Sequence, residues 1–290
     1  MATALIADIK RMTLHDGPGI RSTVFVKGCP LRCLWCHNPE SISTKPQLLY
    51  HENLCLHCGS CSGVCPEQAI QSGVIDRARC TNCGACVENC FRGAMVLSGK
   101  TMTAQEVFES VMRDKSYYGT DGGVTVSGGE PLLYPDFTAE LFALLRGEGI
   151  HTALDTCGEI PFRNFETVLP HADLVLFDLK GMDAARHEIN TGRRNERILE
   201  NLRELGCRKV PVEIRIPLIP DHNDSPEELQ AMADFLRTIP SLVKVKLLAF
   251  HNMARNKYRS AGMPDTTPTV EPPDDAAMER AAAFFAGLPH

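Results

Sequence analysis

From residue 97 onward the hydrophobic positions alternate between two periods. Short apolar runs are separated by stretches in which apolar residues recur every three or four positions, the pattern of strands alternating with amphipathic helices. Strands are predicted over residues 123–126, 150–155, 174–179, 210–216 and 243–250, and the run 174–179 is apolar almost throughout, as a strand buried on both faces should be. Residues 23–27 form an earlier, β-branched strand, with 5–12 as a short leading one. Thr103-x-x-Glu106 is a capping box opening a helix that carries Val107, Phe108, Val111 and Met112 on one face. Ser225, Pro226 and Glu228 supply an N-cap, a proline at N1 and a glutamate at N3 for a helix reaching about residue 238. Further helices are predicted over 135–148 and 195–205. A Pro- and Thr-rich extended tail over 261–273 precedes a last helix near 275–286.

Six strands alternating with helices predict an α/β fold with a parallel sheet, arranged as a partial (β/α)6 TIM-like barrel. In such folds the chemistry sits at the C-terminal ends of the strands. The first strand runs straight into Gly28-Cys29-Pro30-Leu31-Arg32-Cys33-Leu34-Trp35-Cys36-His37, three cysteines within eight residues. Three thiolates can hold one corner each of an iron–sulfur cluster and leave one iron open for chemistry. A zinc knuckle with His37 as fourth ligand is the alternative, opposed by the adjacency of Cys36 and His37, whose side chains diverge in most backbone conformations.

Thirteen cysteines change the picture further. Cys55-x2-Cys58-x2-Cys61-x3-Cys65-Pro66 returns after 25 residues as Cys80-x2-Cys83-x2-Cys86-x3-Cys90. This is the bacterial two-cluster ferredoxin pattern, in which the fourth cysteine of each run ligates the other cluster. Cys55, Cys58, Cys61 and Cys90 would hold one 4Fe–4S cluster, and Cys80, Cys83, Cys86 and Cys65 the second; eight zinc-bound cysteines are the alternative. Phe91 stands where the second run often has proline. The expected organisation is therefore a barrel formed by residues 1–48 and 97–290, interrupted by a ferredoxin-like insert over 49–96. The polar stretch 41–52 reads as a linker. The insert has too few large apolar residues for a core of its own, so its clusters would supply much of its stability.

A length of 290 residues suits one large domain with a small insertion. A net charge of −6 without long basic runs argues against nucleic acid, and no apolar run reaches a membrane span. Cysteine-rich composition without a secretory leader predicts bound metal in a reducing cytoplasm. Cys157 and Cys207 have no partners in spacing and read as free thiols.

Other candidate groups lie at strand ends. Ser127-Gly128-Gly129-Glu130-Pro131 bares backbone carbonyls and adds a carboxylate, a site for a small ammonium, although a glycine bulge closing the strand reads the same way. Asp155 and Thr156 end the next strand. Asp178 and Lys180, two apart, point the same way from the one after. Glu213 and Arg215 alternate with aliphatics and should face the barrel interior, where a pair between them could be purely structural. His251 follows the last strand.

The cysteine loop, with Trp35 before its third cysteine, resembles that of the radical S-adenosylmethionine (SAM) enzymes. His15-Asp16-Gly17-Pro18-Gly19-Ile20-Arg21 ahead of it resembles one subgroup, the activating enzymes of glycyl radical enzymes. Asp178-Leu179-Lys180 through His187 and Thr191-Gly192 is similar to a run in the same family. The resemblance implies that Cys29, Cys33 and Cys36 hold the reactive cluster and that Lys180 acts beside it. It implies that Trp35, His37, Gly128, Gly129, Glu130, Asp155, Thr156, Asp178, Lys180, Arg215 and His251 surround SAM, with a monovalent cation beside the first carboxylates. Asp16 would hold the glycine-bearing segment of the protein substrate. The implied reaction uses one electron to cleave SAM to methionine and a 5′-deoxyadenosyl radical, which abstracts hydrogen from a backbone glycine. Three 4Fe–4S clusters, a glycyl radical enzyme as partner, a flavodoxin or ferredoxin as electron donor and a monomeric state complete the expectation. The insert would serve as electron relay or as docking platform. A radical SAM enzyme acting on a small molecule or another peptide, and a non-catalytic electron carrier, remain the other readings.

Overall fold

Eight strands of the computed structural model join in a single sheet, and the model describes every residue except Ser72 and His290. In chain order the strands are β1 (Thr3–Thr13), β2 (Arg21–Val26), β3 (Gln47–Tyr50), β4 (Ile70–Gln71), β5 (Val74–Ile75), β6 (Met95–Ser98), β7 (Lys100–Thr103), β8 (Gly123–Gly128), β9 (His151–Thr156), β10 (Leu174–Asp178), β11 (Val212–Leu218) and β12 (Leu242–Ala249). The helices are α1 (Ser60–Gly63), α2 (Ala85–Glu88), α3 (Ala104–Met112), α4 (Pro135–Gly147), α5 (Phe162–Val168), α6 (Ala184–Thr191), α7 (Glu196–Gly206), α8 (Pro226–Leu236), α9 (Arg255–Ala261) and α10 (Asp275–Ala283). Strands β2, β8, β9, β10, β11 and β12 run parallel in that order, while β1 and then β7 extend the β2 edge antiparallel.

The period-two pattern decides which way each strand faces. On β10, Val175 and Phe177 join Val124, Leu154 and Ile214 against helices α3, α4, α5, α7 and α8, through residues such as Val107, Leu141, Phe165, Leu202 and Met232. Leu174 and Leu176, on the other face, close on Ala153 in a small inner cluster. Both predicted N-terminal caps form: the Glu106 N–H donates to the Thr103 hydroxyl at 3.1 Å, and the Glu228 N–H to the Ser225 hydroxyl at 3.3 Å. A cavity of about 670 Å³ touches residues from the ends of all six parallel strands. Laid flat, six strands would span roughly 24 Å at ~4.8 Å per step, so the sheet must curl into an open barrel around that cavity.

Several elements depart from the sequence reading. The stretch expected to be a linker contains β3, which pairs antiparallel with β6, so a two-stranded stem crosses both expected boundaries of the insert. The sequence reading has no strand at β7 and no helix at α5, α6 or α9, all of them short elements. The insert also has a small apolar cluster after all: Leu48, Ile70, Cys86 and Met95 pack together, with Tyr50, Cys61, Cys65, Cys80 and Cys90 against them. Two of its four buried anchors, Leu48 and Met95, come from the stem, and Leu48 lies outside the expected bounds 49–96. Among the described residues no helix is long and apolar enough to cross a membrane.

The 25-residue cysteine repeat is also a structural one. Left-handed backbone falls at His57 and Asn82, at Gly59 and Gly84, and at Gln68 and Gly93, each pair 25 apart. The Ala69 N–H donates to Cys65 Sγ at 3.2 Å, and the Ala94 N–H to Cys90 Sγ at 3.2 Å. For the non-glycine residues this conformation costs about 1 kcal/mol or more each, and it recurs at matching places in both runs.

Candidate active site

The loop after β2 is held from behind by backbone. Arg32 and Leu34 N–H groups donate to the carbonyls of Thr191 and Asn190 at 2.7 and 2.9 Å, at the end of α6. Cys29 N–H reaches the Ile42 carbonyl at 3.2 Å, and Cys36 N–H closes a turn on Cys33 at 3.1 Å. The Asp-x-Lys…His…Thr-Gly run thus buttresses the cysteine loop through its main chain. Lys257 of α9 fastens the far side, with its ammonium 2.8 Å from the His37 carbonyl and 2.8 Å from the Glu40 carboxylate.

Cys29, Cys33 and Cys36 line one wall of the cavity together with Trp35 and His37. Burial pushes the Cys33 thiol well above its ordinary range and Cys36 up to about 12, while a hydrogen bond from Cys157 holds Cys29 below its own. Among the described residues, no three or more Cys, His, Asp or Glu side chains converge on a point that one metal ion could occupy.

The Gly128–Gly129 turn packs directly on that loop. A Cβ at Gly129 would lie 2.0 Å from the Gly28 carbonyl oxygen, and Gly128 has φ +107°. The Gly129 and Glu130 N–H groups donate to Val26 and Gly28 at 2.9 and 2.7 Å. Both glycines line the cavity, but Glu130 does not: it is fully buried, and its carboxylate accepts from the Thr156 hydroxyl (2.9 Å to each oxygen), Cys157 N–H (2.9 Å) and Leu132 N–H (3.1 Å). Sequence reasoning placed this carboxylate against a ligand ammonium. The structure instead places it behind the wall, tying the end of β9 to the turn after β8.

In the same cavity, the Asp178 carboxylate and Lys180 ammonium meet at 2.7 Å. Nearby charges, Asp178 foremost, outweigh burial and raise the Lys180 pKa. Arg215 pairs with Asp155 at 3.3 Å and Asp16 at 3.9 Å rather than with Glu213, which does not line the cavity. Burial lifts Asp155 to about 6 against the opposing pull of Arg215, and Ser127 donates to it at 2.6 Å. Asp16 enters from the loop between β1 and β2, its carboxylate accepting from Thr23 at 2.8 Å and its carbonyl from Thr125 at 2.6 Å. The fully buried Arg21 pins that loop through the Pro18 carbonyl (3.1 Å) and the Thr125 hydroxyl (2.7 Å).

His251 stands outside the lining. Its ring stacks on His37 with centroids 4.0 Å apart, and Phe250 before it faces the cavity instead. The sequence reading takes in Ser127 only as the head of its motif and does not single out Asn190, Asn223 or Lys257. Asn223 joins the Lys180 and Pro217 carbonyls at 3.1 and 2.7 Å. Only Ser127, the first residue of the Ser-Gly-Gly-Glu motif, carried a signal that could have found it.

Comparison with known proteins agrees with this geometry. The profile of the Radical SAM superfamily matches residues 23–236. The (2S)-3-sulfopropanediol dehydratase activating enzyme of Klebsiella oxytoca is 40% identical over 272 residues, covering 90% of this chain and 86% of that one. The indoleacetate decarboxylase activating enzyme of Tractidigestivibacter scatoligenes is 38% identical over 295 residues, covering 96% and 93%. A solved domain of the pyruvate-formate lyase-activating enzyme of Bacteroides vulgatus superposes with a TM-score of 0.50 at 30% identity, over 58% of this chain and 96% of that domain. With its cysteine loop, glycine turn and paired charges gathered in one cavity, the chain belongs to the radical SAM superfamily and, within it, to the activating enzymes of glycyl radical enzymes.

Proposed function

We propose that this protein installs a radical on a backbone glycine of a glycyl radical enzyme. The single observation that carries the reading is the shared cavity: the three-cysteine loop, Gly128–Gly129, Asp155, Asp178, Lys180, Arg215 and Asp16 all line it. When bound, a 4Fe–4S cluster and SAM supply a one-electron cleavage that yields the 5′-deoxyadenosyl radical needed to take the glycine hydrogen. Cys29, Cys33 and Cys36 would hold the cluster. The open carbonyls of Gly128 and Gly129, with Asp155 and Asp178, would bind the cationic end of SAM, a monovalent cation beside them. Lys180, kept charged by Asp178, would face the carboxylate and steady the reacting end. Trp35, Thr156 and His37 would wall the cavity and exclude water, with His251 backing the His37 ring from outside the lining. Glu130 would act through Thr156 and Cys157 as a positioning residue. Asp16, held by Thr23 and Arg215, would orient the glycine segment.

For the insert, the interlocked spacing and the matched backbone of the two runs support two further 4Fe–4S clusters in a ferredoxin-like unit, on Cys55, Cys58, Cys61 and Cys90 and on Cys80, Cys83, Cys86 and Cys65. A cytoplasmic, monomeric protein reduced by a flavodoxin or ferredoxin completes the reading. Relatives whose names specify a dehydratase and a decarboxylase stand at 40% and 38% identity, so identity alone does not select the partner. Anaerobic incubation with SAM, reductant and candidate glycyl radical enzymes should give the EPR doublet of a glycyl radical. Steady 5′-deoxyadenosine production with no doublet from any candidate would favour a small-molecule substrate.

A further inference from the structure

A second cleft, of about 540 Å³, lies where the insert meets the barrel and shares no lining residue with the SAM cavity. Three of the four parts of the chain that form it contribute a cation, Arg32 from the cysteine loop, Lys45 from the segment leading to β3 and Arg77 from the insert, while the end of α9 adds only Ala261, Gly262 and Met263. Arg32 donates to the Cys29 and Leu31 carbonyls at 2.6 and 2.7 Å. Arg77 donates to the carbonyls of Leu48 and Ser260. Among the described residues none of the three meets a carboxylate, and no Asp or Glu lines the cleft. The chain as a whole carries −6, so this is a local inversion of its field. Three like charges without counter-charges repel one another and attract a partner of the opposite sign, while the acidic remainder of the surface repels it. Cys80 stands on the wall, and Asn82 beside it is fixed by the Leu48 N–H at 2.8 Å.

We infer that this cleft docks an acidic one-electron carrier protein, which delivers its electron to the cluster held by Cys80, Cys83, Cys86 and Cys65. The inference rests on the two-cluster reading of the insert. In the step the reduced carrier loses one electron and the cluster gains it; no covalent bond forms or breaks. A protein carrier fits better than the glycyl radical partner, because the wall here carries an insert cysteine whereas Asp16 lies in the other cavity.

The test compares Lys45→Glu with Lys209→Glu, an equal charge change on an exposed lysine beside a different cleft. Reduced flavodoxin is the probe, and cluster reduction is followed by freeze-quench EPR at low ionic strength. Lys45→Glu should slow reduction about tenfold, Lys209→Glu should leave it unchanged, and high salt should erase the difference. SAM cleavage driven by dithionite should be the same in both variants. Equal carrier rates in the two variants overturn the docking site. Iron analysis separates the underlying reading: about twelve irons per chain support the insert clusters, and about four overturn that reading and this inference with it.

Discussion

The Thr156 hydroxyl lies 2.9 Å from both carboxylate oxygens of Glu130, joining the end of β9 to the turn that follows β8. Cys157 and Leu132 N–H groups complete the set, so a carboxylate with no access to solvent meets only donors. Glu130→Gln would turn one oxygen into a donor facing another donor, at a cost of about 2–4 kcal/mol. Denaturant unfolding should show that loss before any SAM is added. Unchanged stability with weakened SAM binding would return Glu130 to the role of a direct ligand.

Asp155 gives a pH dependence of definite sign. Burial holds its carboxyl at about 6 in the fold, against 3.8 for a free aspartate. Between those values the native state binds more protons than the unfolded one, so stability falls as pH rises through the window and stays lower above it. Relative to Asp155→Asn, the SAM-free wild type should lose about 2 kcal/mol between pH 4 and 6. Parallel pH profiles of unfolding for the two proteins would contradict the assigned burial.

The cysteines should divide by task. Cys33→Ala removes a ligand in the SAM cavity and should abolish 5′-deoxyadenosine formation under dithionite. Cys58, exposed in the insert, should be replaceable by Ala with basal cleavage kept within a few-fold. Product assay by chromatography decides it, and an equal loss in a folded Cys58 variant would sink the division.

Asp16 should separate SAM cleavage from glycine activation. Asp16→Asn keeps an acceptor for Thr23 and removes the charge beside Arg215. SAM cleavage should persist, while the glycyl radical yield per 5′-deoxyadenosine falls on the order of tenfold or more, as misplacement of a reacting segment predicts. A constant ratio would show that Asp16 does not touch the protein substrate.

Much of this was legible along the chain because it is local. The capping box at Thr103, the proline-led helix at Ser225 and the apolar run of β10 form where backbone propensity and side-chain period agree. The cysteine spacings are equally local, since ligands of one cluster must lie within a few residues of loop. Short elements stabilised by their neighbours were not legible: β3 looked like a linker because its reason for being a strand is β6, more than forty residues away.

The sequence by itself determined the six-strand alternation, the three cysteine runs and the family, through spacings that chemistry dictates at short range. Tertiary structure decided which charges meet. Arg215 turns to Asp155 and Asp16 instead of its neighbour Glu213, Glu130 withdraws behind Thr156, and His251 stacks on His37 instead of lining the cavity. Arg32, Lys45 and Arg77, far apart in the chain, share one cleft for the same reason. Side-chain pairing across a curved sheet depends on strand order and curvature, and neither is written in the spacing of residues along one strand.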